Sequence, residues 1–299
     1  MVWVLIALLA AFFTSMTTIL SKIGLKGVNS NFATFYRTGV VIICSVVVCM
    51  VSGSINMFSS LNFKNVIFLI ISGICTGCSW LCYYKALKMA SANKVAPIDK
   101  SSFILTTILF VIFYFDVTTK NGNILTIMML ILSMALMGIG TMLMISKNKD
   151  DEEETSKKWL IYAFLSSVFA AFVALFIKMG LNGIPSDLGT LLRTIVVFIF
   201  AGAIVLVRKD YKEVKGISFK QILILTLSGI ATGGAWLCEY EALSFVNANP
   251  VVVNSIGKLS ILLTMFLSFV ILKEKFSKKS LLGLFILTLG IVVIIIFGL

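Results

Sequence analysis

Charge falls in bursts along this 299-residue chain, and the bursts bound long apolar runs. Met1–Ser21, Thr38–Phe63, Asn65–Tyr84, Asn121–Ser146, Trp159–Ile177, Gln221–Cys238 and Ser280–Leu299 contain no Asp, Glu, Lys or Arg. Runs of about 18 to 25 apolar residues are long enough to cross a hydrocarbon core of about 30 Å as helices. Ser101–Phe115, Leu188–Val207 and Leu259–Leu272 are shorter or carry one charge, and they supply three further spans. The pattern predicts an all-α integral membrane protein with ten transmembrane helices.

The runs also repeat. SGICTGCSWLCYYKAL (Ser72–Leu87) returns as SGIATGGAWLCEYEAL (Ser228–Leu243), 156 residues later. The same offset carries Lys22 onto Lys178, Gly24 onto Gly180, Gly27 onto Gly183, Arg37 onto Arg193 and Thr38 onto Thr194. After a slip of two residues, Lys100 falls on Lys258 and Thr106 on Thr264. A period of half the chain is a duplication, not a solenoid unit. The first repeat covers residues 1–149, a polar linker 150–158, and the second repeat 159–299. Five helices is an odd number, so the second repeat enters the membrane from the opposite side and the two five-helix repeats are inverted. Many secondary transporters are built this way, with the substrate site near the midplane and a pair of short hydrophobic segments marking it. The spans beginning at Ser101 and Leu259 fit that description, each beside a lysine.

Composition removes several function classes. With 59% hydrophobic and 13% charged residues the chain is not a soluble protein. A formal charge of +12 would point to nucleic acid in a soluble domain. Here it reads as basic loops facing an anionic leaflet, with no nucleic-acid partner. The first run lacks a basic leader and a small-residue cleavage site, and reads as a retained helix. The six cysteines all lie at membrane depth, and Cys75, Cys78 and Cys82 align with Ala231, Gly234 and Cys238. Small residues at those places suit close helix packing better than a metal or redox centre, so no metal and no cofactor are expected. Gly73-x-x-x-Gly77 and its twin Gly229-x-x-x-Gly233 are read the same way.

SKIGLKGVNSNFATFYRT, SGICTGCSWLCYYKAL and VAPIDKSSFILTTIL, together with the duplication, resemble the EamA family of the drug/metabolite transporter superfamily. The resemblance covers both halves. It implies a ten-helix transporter of the cell membrane that most often exports amino acids or other small metabolites, driven by a gradient or by exchange. Members commonly carry a Gly-Glu pair after the fourth helix of each half. Those positions here are Phe115-Asp116 and Lys273-Glu274, which keep the acid and lose the glycine.

Loop charge orients the chain. Loops 1, 3, 5, 7 and 9 carry Lys26; Lys88 and Lys94; Lys147, Lys149, Lys157 and Lys158; Arg208, Lys209, Lys212, Lys215 and Lys220; and Lys273, Lys275, Lys278 and Lys279. Loops 2 and 4 carry Lys64 and Lys120, and loops 6 and 8 carry none. The positive-inside rule places both termini outside. The family resemblance implies both inside.

Ionisable residues at membrane depth cost about 2.5 to 3.5 kcal/mol each on insertion scales, so they line wet cavities, find partners or snorkel to the interface. Lys22, Arg37, Lys178 and Arg193 stand near span boundaries, where snorkelling competes with a coupling or ion-pair role. Lys100, Lys258 and Glu239 read as cavity residues, and Asp99 as a coupling or ion-pair candidate. Trp236, Glu239 and Tyr240 share one helical face, and indole, carboxylate and phenol suit an amine. The equivalent face of the first repeat carries Trp80, Tyr83 and Tyr84. Lys100 and Lys258 at the starts of the short spans suit a carboxylate. Glu241 aligns with Lys85, a sign reversal that would allow an ion pair between the halves.

These residues predict a secondary transporter, an exporter of amino acids or similar small molecules. The alternative is a proton-coupled exporter of cationic drugs or quaternary amines, with Glu239 carrying both proton and cation. An enzyme is disfavoured: the chain has no His, the commonest general base. Two fused halves can form a pathway in one chain, so a monomer is sufficient and a homodimer stays open. The expected partners are a small-molecule substrate, protons as a coupling ion, and the lipid bilayer.

Overall fold

The computed structural model describes residues 2–25, 28–87, 89, 95, 98, 101–144, 158–211, 217–273 and 276–298. The first repeat contains α1 (Val2–Gly24), α2 (Ser30–Ser52), α3 (Phe63–Leu87), α4 (Ser102–Phe113), a single turn α5 (Phe115–Thr119) and α6 (Ile124–Met144). The second contains α7 (Lys158–Gly180), α8 (Ser186–Arg208), α9 (Phe219–Ser244), α10 (Pro250–Lys258), α11 (Ser260–Leu272) and α12 (Lys278–Gly298). Among the described residues, nine apolar helical stretches of 21 to 26 residues are long enough to cross a membrane, counting α10 and α11 as one, and α4 is a shorter tenth. At 1.5 Å per residue, 23 residues reach about 34 Å, enough for the hydrocarbon core. The outward faces are apolar, as lipid requires: Val51, Val207 and Phe219 are each at least 80% exposed.

The two repeats interlock rather than sit side by side. α1 packs on α9 and α3 on α7; α2 packs on α9 and α3 on α8; α2 meets α8, and α6 meets α12. Each contact across the halves thus comes with its mirror image, as a pseudo-two-fold axis demands. The symmetry reaches individual atoms. A Cβ added to Gly73 would lie 2.7 Å from Val196, and one added to Gly229 would lie 2.7 Å from Val40, the residue equivalent to Val196. Gly24 faces Leu225 as Gly180 faces Leu69. The glycines of both G-x-x-x-G pairs are therefore close-packing sites, as their spacing indicates. α6 and α12 cross backbone to backbone, so that a Cβ on Gly140 would come within 2.5 Å of the backbone of Leu287.

The fourth span of the second repeat differs from the sequence expectation. It does not begin after Lys258. Asn249 caps a helix that starts at Pro250, its side chain accepting the Val251 N–H, and proline at the first position is pre-set for a helix start. That helix ends at Lys258, where the Leu259 N–H turns back to the Ile256 carbonyl three residues earlier (2.9 Å) and the Ser260 hydroxyl donates to the Gly257 carbonyl (2.6 Å). The tightened turn breaks the span, and α11 continues it. Lys258 therefore stands at a break in mid-span, ending α10 and immediately preceding the 13-residue α11. Before α4 the same device recurs, with Ser101 Oγ donating to the Ile98 carbonyl (2.6 Å).

The two family turn positions also part company. Lys273 takes the left-handed conformation (φ 54) that glycine favours, whereas Phe115 opens α5 and the left-handed turn moves on to Lys120, Asn121 and Gly122.

Candidate functional site

The densest polar cluster within the spans gathers on α8, α9 and the end of α10. Arg193, on the second turn of α8, is 3% exposed. Its guanidinium lies over the Trp236 ring at 4.7 Å and the Tyr240 ring at 5.5 Å, and Nη2 donates to Thr76 Oγ1 on α3 at 2.8 Å. Among the described residues its Nε and Nη1 have no hydrogen-bond partner. Glu239, on the turn of α9 that carries Trp236 and Tyr240, is half-buried and lies within electrostatic range of Lys258 and Arg193. Lys258 is half-buried at the α10–α11 break. Trp236, Glu239, Tyr240, Arg193 and Lys258 thus come together, two cations around one carboxylate with two aromatic faces. Tyr240 itself is part of the packed core at 2% exposure.

The pseudo-symmetric cluster of the first repeat is less complete. Arg37 Nη2 donates to Thr232 Oγ1 at 2.8 Å, the mirror of the Arg193–Thr76 bond. Trp80 is half-buried and lines a small pocket with Asn31 and Thr34 rather than facing the acid. Tyr83 packs in a satellite cluster around Ala86, Val95 and Ala163. Tyr84 lies on α3; Asp99 and Lys100 fall outside the described residues.

The remaining candidates have local partners. Lys178 Nζ donates to the carbonyls of Leu243 and Phe245, closing the C-terminus of α9, where a cation offsets free carbonyls and the helix dipole. Its twin Lys22 is exposed. Glu241 and Lys85 are not brought together: Glu241 accepts from Ser186 Oγ, while Lys85 lies 4.3 Å over the Tyr162 ring. The inverted repeat explains this, since aligned positions are related by the pseudo-axis and lie at opposite ends of the bundle.

Two further carboxylates carry weight that the apolar-run pattern does not assign. Asp187 at the start of α8 accepts from Ser52 Oγ at the end of α2 (2.5 Å), and Asp210 after α8 accepts from Asn31 Nδ2 at the start of α2 (2.7 Å). Both acids are 8% exposed. They pin α2 to α8 at its two ends. The repeat register was the available signal, because it sets Asn31 on Asp187 and Ser54 on Asp210. At the Asp187 end a cavity of about 480 Å³ opens between α1, α2, α8 and α9, lined by Ser52, Ser54, Ser186, Asp187 and Glu241 with apolar Ile6, Leu9 and Val48.

Comparison with known proteins completes the picture. A protein from Sinorhizobium sp. described as an uncharacterized transporter is 38% identical over 111 residues, spanning 37% of this chain and 79% of the relative. A solved crystal structure aligns with 99% of this chain and 97% of its own length at a TM-score of 0.75 and 14% identity, a likeness of fold. The EamA-like transporter family matches twice, at residues 1–145 and 157–296, in step with the duplication. The chain is therefore a multi-pass membrane protein and a member of the EamA-like transporter family.

Proposed function

We propose that this protein is a secondary transporter that exports amino acids or similar small zwitterionic metabolites, by alternating access between its two repeats. The observation that carries the reading is Glu239, a half-buried carboxylate within electrostatic range of Arg193 and Lys258, on the turn of α9 whose Trp236 and Tyr240 rings lie against Arg193. A carboxylate beside aromatic faces attracts an ammonium group. The two cations favour a carboxylate on the same molecule. A broken span beside the cluster supports the same reading, since discontinuous helices commonly hold substrate in inverted-repeat transporters. Loop charge supports an orientation with both termini outside.

Uptake into proteoliposomes tests it, with labelled amino acids and the cationic dye ethidium offered under a pH gradient imposed in either direction. Saturable amino-acid flux lost in Glu239→Gln and in Lys258→Met is the expected result. Dye flux driven by the pH gradient and lost only in Glu239→Gln would replace this reading with proton-coupled export of cations. Labelling of single cysteines in the odd-numbered loops from one side of the membrane tests the orientation.

A further inference from the structure

We infer that Arg193, rather than Lys258, is the residue that binds the carboxylate of the transported molecule; this rests on the proposed transport role of the α8–α9 cluster. Three observations lead there. Arg193 is 3% exposed, donates to Thr76, interacts with the Tyr240 phenol, and leaves Nε and Nη1 outside normal hydrogen-bond geometry among the described residues. A buried guanidinium with unused donors is a costly arrangement, so an anion or ordered water is expected to complete it.

The orientation narrows the choice. The Trp236 and Tyr240 rings lie against the guanidinium, 4.7 and 5.5 Å from its central carbon, so the ligand has to be met by the N–H groups that the rings do not engage. In-plane donors are what a carboxylate engages. Lys258 is a weaker anchor for the same group. Its ammonium is a point charge without a fork of in-plane donors, and it has a further interaction of its own. Glu239, on the turn of α9 that carries Trp236 and Tyr240, then receives the ammonium end of the same ligand. The ligand class is a molecule with carboxylate and ammonium groups on one carbon atom, and the carboxylate is the stronger determinant.

The test compares each acid with its amide, which removes the negative charge and keeps the rest. Full-length protein in nanodiscs is titrated with the twenty common L-amino acids, the amides of those that bind, and the simple carboxylates acetate and benzoate. The readout is tryptophan fluorescence, corrected with Trp236→Phe. In the wild type the acid binds about 10- to 100-fold tighter than its amide, the range expected for a charge-assisted contact. That ratio falls to about 1 in Arg193→Gln, recovers in part in Arg193→Lys, and survives in Lys258→Met. Equal binding of acid and amide by the wild type, a comparison that needs no variant, overturns the proposal. A ratio unchanged in Arg193→Gln also overturns it. If no amino acid binds or crosses the vesicle, the amino-acid reading fails on its own. Saturable quenching by benzoate or acetate that is lost in Arg193→Gln would then still support Arg193 as a carboxylate site, and its absence in the wild type would overturn it.

Discussion

The two repeats are one scaffold carrying two different chemistries. Gly73 and Gly229 meet equivalent valines at the same 2.7 Å, and Arg37 and Arg193 reach across to equivalent threonines at the same 2.8 Å. The packing that holds the halves together has stayed symmetric, because each interface residue must fit its own mirror image. The polar cluster has not. Where the second repeat presents Glu239, the first presents Tyr83, which packs in a satellite hydrophobic cluster. Arg193 lies over Trp236, whereas Trp80 turns to a pocket lined by Asn31 and Thr34. A symmetric frame with an asymmetric charge set suits a transporter that must rock about an axis yet hold an asymmetric substrate.

Charge removal gives the largest expected contrast. Glu239→Gln should reduce transport by about a hundredfold, the scale of losing a charge-assisted contact worth about 3 kcal/mol. Tyr83→Phe, at the equivalent position, should change it by less than about threefold. Equal losses at the two positions, measured as initial rates in proteoliposomes, would mean that both repeats carry the site and would dissolve the contrast.

The next contrast concerns packing within the symmetric frame. A Cβ on Gly77 would lie 2.3 Å from the ring of Phe200, whereas one on Gly233 would lie 3.2 Å from Cys44. Gly77→Ala should therefore cost about 1 to 3 kcal/mol of overpacking, and Gly233→Ala under about 1. Survival of monodisperse protein after heating in detergent reads both. A Gly77→Ala protein as heat-resistant as Gly233→Ala would show that Phe200 yields without strain.

The pins at the ends of α2 and α8 should differ by less. Asn31→Leu leaves the carboxylate of Asp210, 8% exposed, without its amide donor, and should cost about 1 to 3 kcal/mol. Ser52→Ala leaves Asp187 still accepting the Leu188 N–H, so the same melting experiment should show a loss near 1 kcal/mol.

Much of this arrangement was legible in the sequence, and the reasons are physical. Run lengths matched to bilayer thickness give the ten spans, and an odd helix count per repeat gives the inversion. The face shared by Trp236, Glu239 and Tyr240 follows from helical spacing. Other features needed tertiary information. Arg193 stands only seven residues into α8, which reads as a boundary from sequence, yet packing against α3 and α9 buries it. The segment Pro250–Lys258 reads as a loop because Asn254, Gly257 and Lys258 interrupt it, although Asn249-Pro250 is a helix-start signal. Burial of Pro250, Val251, Val252, Val253 and Ile256 supplies the stabilisation that local propensity lacks. Asp187 and Asp210 flank apolar runs, where a charge is ordinarily solvated, so the sequence pattern does not single them out.

The smallest expected effect is the cleanest test of how the repeats diverged, because one substitution should carry opposite signs in the two. Phe115 and Lys273 occupy equivalent positions, those at which the family resemblance expects glycine. Lys273 adopts φ 54, a conformation that costs an L-residue about 1 kcal/mol and glycine little. Lys273→Gly should raise the melting temperature, by an amount corresponding to about 0.5 to 1 kcal/mol. Phe115 instead opens the helical turn α5, with the left-handed residues displaced to Lys120–Gly122, so Phe115→Gly should lower stability by about as much. The first repeat has thus moved its turn downstream, while the second has kept it in place and tolerates strain at a lysine. If both variants stabilise, the first-repeat turn lies at Phe115 after all, and the two repeats end their fourth spans alike.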